Sequence, residues 1–219
     1  MGVGNRYFCT LFNSNYLLKG VAMVRSLLRH CPEARIYILC MDELTLSLLS
    51  RLDLPGTILI PLETIEDQRL LQVKPDRSVA EYCWTLASCF TWHVLMEYLD
   101  IPFITYLDAD IYFYSSLDPV LLETASASIA IIEHRFSPRY SDREVNGRFC
   151  VEWVGFARDE QGLKCLSHWR EQCIEWCYYR LEENRMGDQK YLDQWPALYE
   201  RCHVIKSIGA GIAPWNYDA

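Results

Sequence analysis

The chain has 219 residues, of which 51% are hydrophobic, and it carries a formal net charge of −8. That composition excludes a disordered chain, and the acidity argues against nucleic acid or an anionic membrane as the main partner. A domain of this length buries roughly 70% of the surface its unfolded chain exposes, so it needs no disulfide staples.

Residues 6–12, RYFCTLF, read as a strand, and NSNY at 13–16 ends it with polar turn residues. Residues 17–30 read as a helix with Leu17, Val21, Val24 and Leu28 as its apolar stripe, followed by Pro32. RIYILCMD (35–42) is a second strand ending in Asp42, residues 43–52 a second helix, and TILIPL (57–62) a third strand after the Pro55-Gly56 turn. This β-α-β-α-β order is the signature of a parallel sheet with helices on its faces. Residues 78–99 hold no Gly or Pro and predict one long helix. PFITYL (102–107), SIAIIEH (128–134) and FCVEWVGFA (149–157) are further strands. Residues 162–181 predict a long helix with Leu166, Trp169, Cys173, Trp176 and Cys177 on one core-facing side. CHVIKSI (202–208) is a last strand and GAGIAPWN (209–216) an irregular loop. No internal repeat or linker divides the chain, so a single domain over 1–219 is expected.

The ten cysteines form no Cys-x-x-Cys pair, and most stand in apolar runs. They read as reduced, buried thiols rather than zinc ligands. No signal-type segment and no run of 18 apolar residues is present, which leads to the expectation of a soluble, cytoplasmic protein with no transmembrane segment.

ITYLDADIYFYS (104–115) carries the chemistry. An apolar strand stops at two carboxylates, Asp108 and Asp110, and alternate side chains of an extended segment point the same way. In open α/β sheets ligands collect beyond the carboxyl ends of strands. Two like charges aimed at one spot repel unless a hard cation relieves them, and Mn²⁺ or Mg²⁺ typically bridges carboxylates to a diphosphate. The competing reading is a pair of loop caps or salt-bridge partners. A haloacid-dehalogenase-like phosphatase also uses Asp-x-Asp after a strand, and GDQKYLD (187–193) supplies a Gly-Asp. Its context differs here. About 100 residues precede the pair, Tyr112 stands where Thr or Val is usual, and the Gly-Asp follows the polar RLEENRM. Nucleotidyltransferase chemistry lacks its glycine-rich phosphate loop, because MGVGN precedes the first strand instead of following it.

The opening CTLFNSNYLLKGVAMVRSLLRHCPEARIYILCMDE, together with EYCWT (81–85), TYLDADIYFYSSLDP (105–119), VEWVGF (151–156), GDQKYLDQWP (187–196) and GAGIAPWN (209–216), resembles the GT-A fold nucleotide-sugar glycosyltransferases. It resembles family-8-type retaining enzymes of the glycogenin and lipooligosaccharide galactosyltransferase kind, and resembles still more a related bacterial group. The resemblance runs over roughly residues 6–216.

It implies an α/β, Rossmann-like, mostly parallel sheet flanked by helices. It implies metal-dependent transfer of a sugar from a nucleotide diphosphate sugar, UDP-linked by preference, with retention of configuration, to a glycan, lipid-linked or protein acceptor. Thr10, Asn13, Asn15 and Tyr16 take the places that hold the nucleotide. Asp108 would touch ribose or metal, and Asp110 would bind the metal, Mn²⁺ or Mg²⁺. Asp188 and Gln189 take the catalytic places near sugar and acceptor, with a helix N-cap as the alternative for Asp188. Three places depart from the pattern. No Arg stands near Trp84 or Thr85, Cys150 replaces an Asn, and the late His-x-x-Gly metal ligand is absent, His203 preceding Gly209 by six. Truncation at the C-terminus, or a catalytically inactive nucleotide-binding scaffold of the same fold, is the corresponding alternative.

Overall fold

The computed structural model describes residues 6–217; residues 1–5, including Gly2 and Gly4 of MGVGN, and residues 218–219 lie outside the described part. Strand β1 is Tyr7–Phe12, and α1 is Leu17–His30, entered through a short 3-10 turn at Ser14–Tyr16. Strand β2 (Arg35–Cys40), α2 (Glu43–Leu52) and β3 (Thr57–Pro61) follow, then α3 (Gln68–Val73), α4 (Val79–Glu97) and β4 (Phe103–Leu107). The second half comprises α5 (Asp118–Glu123), β5 (Ile129–Glu133), β6 (Phe149–Ala157), α6 (Glu160–Glu175), α7 (Trp195–Leu198) and β7 (Cys202–Val204).

The strands form one seven-stranded sheet in the order β3-β2-β1-β4-β6-β5-β7. Strands β1 to β4 run parallel, and β6 alone runs against its two neighbours β4 and β5. Strand β7 is parallel to β5. Alternation along β1 divides the core. Cys9 and Leu11 join the layer under α4 and α6, while Phe8 and Phe12 join Met23, Val24 and Leu27 of α1 in the other. Gly20 lets α1 come this close, because a Cβ there would lie 2.5 Å from the Phe12 ring.

Local signals explain the helix starts. Asp42 Oδ1 accepts from the Thr45 amide at 2.7 Å and caps α2. Ser78 and Glu81 form a capping box at the head of α4. The expected stripe on α1 packs on the layer of Phe8 and Phe12, with Val24 buried and Leu17, Val21 and Leu28 half-buried against it, while Met23 and Leu27, outside the stripe, are buried as well. The helix expected over 162–181 stops at Glu175. Trp176 turns to extended backbone there, and Arg180 and Arg185 then lie 5.7 and 4.9 Å over its ring. Cys177 therefore lies beyond the helix, although it stays buried. Strand β7 has three residues where seven were expected, because the Glu123 carboxylate takes the amides of Lys206 and Ser207 at 2.6 and 3.1 Å. All ten cysteines are free, eight of them buried and two half-buried. No helix among the described residues is long and apolar enough to cross a membrane.

Candidate functional site

Since β6 is antiparallel to both β4 and β5, those two strands point the same way, and the carboxyl ends of six strands gather at one edge of the sheet. A cavity of about 260 Å³ opens there, and both Asp108 and Asp188 line it.

Asp108 follows the last residue of β4, and its amide donates to the Glu152 carbonyl at 3.2 Å. The chain does not stay extended beyond it: Ala109 and Asp110 form a turn. The two carboxylates therefore meet different surroundings. Asp108 is half-buried in the cleft, whereas Asp110 is exposed and sits 3.5 Å from Lys19 Nζ.

Negative charge accumulates around Asp108. Burial, then the neighbouring Asp110, pushes the Asp108 carboxyl up to about 6. Glu152, on β6 beside it, is pushed to about 7 by burial and by Asp108, with partial relief from Arg135. Burial and Asp108 also hold the Asp188 carboxyl well above the usual range. Burial first, and a neighbouring carboxylate second, thus favour the neutral form of each.

Asp188 and Gln189 are placed by a loop after α6. Gly187 takes a left-handed conformation (φ +54) that brings its backbone against Trp84, and a Cβ there would lie 3.4 Å from the indole. Trp169 Nε1 donates to the Asp188 carbonyl at 2.9 Å, and Gln189 Nε2 donates to the Asn146 carbonyl at 3.0 Å. The short 3-10 turn Lys190–Gln194 begins without any side-chain cap, so the N-cap alternative for Asp188 is not what the fold uses.

The four expected nucleotide residues stand at the end of β1, outside the lining of this cleft. Asn13 Oδ1 accepts from the Asn15 amide at 3.0 Å and shapes the turn. Asn15 and Tyr16 are exposed, and Lys19 Nζ lies 4.4 Å from the centre of the Tyr16 ring. Thr10 is fully buried and its Oγ1 has no hydrogen-bond partner, so its side chain offers a nucleotide no surface. Lys19 thus stands between this turn and Asp110, two residues beyond the cleft residue Asp108.

Three features escaped the sequence reading. Glu152 joins the carboxylates, and its signal was a lone charge inside the apolar strand FCVEWVGFA. His134, Phe136 and Trp215 form an aromatic wall of the cleft. Arg143 supplies a cation on the lining. The departures also find their places. The Arg77 guanidinium, not a residue at 84 or 85, donates to Thr85 Oγ1 and to the Ile174 carbonyl. Cys150 lines the cleft. His203 Nε2 is 2.9 Å from Glu123 Oε1 and does not line the cleft. Among the described residues, no three or more His, Cys, Asp or Glu side chains are grouped so as to hold a metal ion.

No protein-family model matches the chain. Two proteins of Bacillus subtilis (strain 168) are similar to it, each known as an uncharacterized protein. YfnD is 34% identical over 217 residues, covering 97% of this chain and 69% of YfnD. YfnF is 31% identical over 217 residues, covering 96% of this chain and 72% of YfnF. Among solved structures, the glycosyltransferase GlyE of Streptococcus pneumoniae TIGR4 superposes with a TM-score of 0.57 at 17% identity, over 93% of this chain and 45% of GlyE, so the chain spans less than half of that protein. Mouse xyloside xylosyltransferase 1 in its apo form gives 0.57 at 15% identity, over 92% of this chain and 85% of the other. The galactosyltransferase LgtC, solved with donor and acceptor sugar analogs, gives 0.54 at 14%, over 90% and 72%. The shared architecture with these three is the GT-A fold, and by its likeness to YfnD the chain belongs to the YfnD/YfnF family of GT-A-fold proteins.

Proposed function

We propose that this chain transfers a glycosyl group from a nucleoside diphosphate sugar, UDP-linked by preference, to an acceptor hydroxyl. The observation that carries the reading is the convergence of Asp108 and Asp188 on one cleft at the carboxyl edge of a GT-A sheet. Asn13, Asn15 and Tyr16 would take the nucleotide at the end of β1, with Thr10 supporting the turn from below.

Asp108 and Asp110 are hard oxygen donors, and Asp108 is crowded by like charge, so the donor set fits Mn²⁺ or Mg²⁺. Bound there, the cation would neutralise the diphosphate as it leaves. The chain's own residues do the rest. Gln189, tied through Nε2 to Asn146, has Oε1 left to orient a sugar hydroxyl. In the reaction the C1–O bond to the diphosphate breaks, a C1–O bond to the acceptor forms, and the acceptor proton passes to the leaving phosphate oxygen. Same-face transfer with retention is the course we propose, because the sequence motifs resemble those of retaining enzymes.

The test is a melting panel of UDP- and GDP-sugars in Mn²⁺ and in chelator. A ligand at 100 times its Kd stabilises by about 2.7 kcal/mol, or roughly 5–10 °C for a domain of this size. No shift with any nucleotide sugar would refute the reading. NMR of the product's anomeric proton then decides retention. A second reading, an inactive nucleotide-binding protein, draws on the lack of a three-ligand cation group among the described residues. It predicts a melting shift without turnover.

A further inference from the structure

The cleft has walls that the transfer chemistry leaves unused. His134 and Phe136 follow β5, and their rings stack with centroids 4.7 Å apart and planes 8° from parallel. Trp215 meets His134 edge-on at 5.6 Å and lies 6.4 Å from Phe136. This indole is held by the backbone. Its Nε1 donates to the His134 carbonyl at 3.1 Å, and its own carbonyl accepts from the Ser137 amide at 3.0 Å. Asn216 Nδ2 adds a bond to the same His134 carbonyl at 2.7 Å. Burial disfavours a charge on His134. Trp84 and Tyr179, with rings 5.7 Å apart, line the same cleft. Hydrogen-bonding groups share the lining with these rings: Asp188, Gln189 and Asn146.

Aromatic faces beside amides and carboxyls match the two-sided chemistry of a pyranose. Its C–H face is apolar and slightly positive, complementary to the negative face of a ring, and its rim of hydroxyls needs donors and acceptors. The sheet also fixes which sugar would lie on the wall. Asp108 ends β4 and His134 follows β5, with β6 between them. Two inter-strand steps set these ends about 10 Å apart. A donor sugar beside Asp108 therefore leaves the wall free for a second ring.

Resting on the transferase reading, we propose that the wall of His134, Phe136 and Trp215 binds a pyranose unit of the acceptor, so that the acceptor is a glycan or glycoside rather than a bare amino-acid hydroxyl or a lipid phosphate. The experiment is saturation-transfer NMR on the 219-residue chain with UDP and Mn²⁺. The probes are methyl glucopyranosides, galactopyranosides and N-acetylglucosaminides, maltose and lactose, with N-acetyl-serinamide, N-acetyl-tyrosinamide and octyl phosphate for comparison. At least one glycoside is expected to bind. Its affinity should fall about 10-fold or more in Phe136→Leu and persist in Phe136→Tyr, while the melting shift given by nucleotide sugars stays the same in both. Three outcomes overturn the proposal: no glycoside binding although nucleotide sugars do shift the melt; glycoside affinity unchanged in Phe136→Leu; or stronger binding of a non-sugar probe. Absence of both glycoside and nucleotide-sugar binding would instead remove the transferase reading on which the proposal rests.

Discussion

Replacing Glu152 by Gln should stabilise the metal-free protein by an amount that grows above about pH 4.5 and is complete above about 7. The Glu152 carboxyl is raised from its ordinary 4.5 to about 7 by burial and by Asp108. A carboxyl raised in the folded state holds its proton there after the unfolded chain has lost it. Stability therefore falls as the pH climbs from about 4.5 through about 7, and the full loss applies above that. Below 4.5 both states are protonated and the effect vanishes. At 1.36 kcal/mol per pH unit the ceiling is about 3 kcal/mol. Glu152 keeps some contact with solvent and shares its field with Asp108, so about 1–2 kcal/mol is expected. For 219 residues that is ~2–8 °C in Tm. The assay is thermal unfolding of wild type and Glu152→Gln in chelator at about pH 4.5 and pH 8. A gain of equal size at both values, or a loss at pH 8, would refute the picture of crowded carboxylates. Saturating Mn²⁺ with a nucleotide diphosphate should shrink the gain, because ligand charge would then offset the repulsion.

Asp110→Asn should abolish the Mn²⁺-dependent part of nucleotide-sugar binding while shifting Tm little, since its one ion pair, with Lys19, is exposed and worth under about 1 kcal/mol; the melting panel with and without chelator reads both. Gly187→Ala should cost about 1–2 kcal/mol, because φ +54 disfavours a Cβ and Trp84 is already in contact distance, and denaturant midpoints measure it. Glu123→Ala should cost about 1–3 kcal/mol at neutral pH, removing the acceptor shared by His203, Lys206 and Ser207. The Glu123 carboxyl is held down to about 2 despite partial burial, by the side chains of Ser207 and His203 and the amides of Lys206 and Ser207. Its contribution is thus complete above 4.5 and fades as pH falls towards 2, so the gap between wild type and variant should narrow as unfolding is repeated from about pH 5 down to pH 3.

The sheet was legible because its strands are short apolar runs between turn residues, and β6 occupies the expected 149–157. The direction of β6 was not legible, since an apolar run carries no sign of parallel or antiparallel pairing. Helix α6 was drawn too long because Trp176 continues a helical period in sequence, while packing against Arg180 and Arg185 draws it out of the helix. Asp108 and Asp188 could be paired only through motif resemblance, since 80 positions separate them and the loop that joins them depends on one left-handed glycine. The aromatic wall was out of reach for a similar reason. Its members come from the ends of two different segments, and backbone hydrogen bonds to His134 hold them together.

Strand β6 loses step with β5 at the cleft. Ile131 pairs with Val154, but Ile132 pairs with Cys150, so Val151, Glu152 and Trp153 have no partner on that side. On its other side the strand stays in register with β4, Trp153 opposite Leu107. The slack is thus confined to one seam, between β6, which carries Glu152, and β5, which leads to the aromatic wall. A residue added or deleted just before Val151 would fall outside the β4 pairing, which ends with Leu107 opposite Trp153. The same edit in β4 would turn every following side chain to the opposite face. The fold therefore has a natural grafting point in its floor. A laboratory library restricted to 150–152 should yield folded proteins at a higher rate than one placed at 104–106.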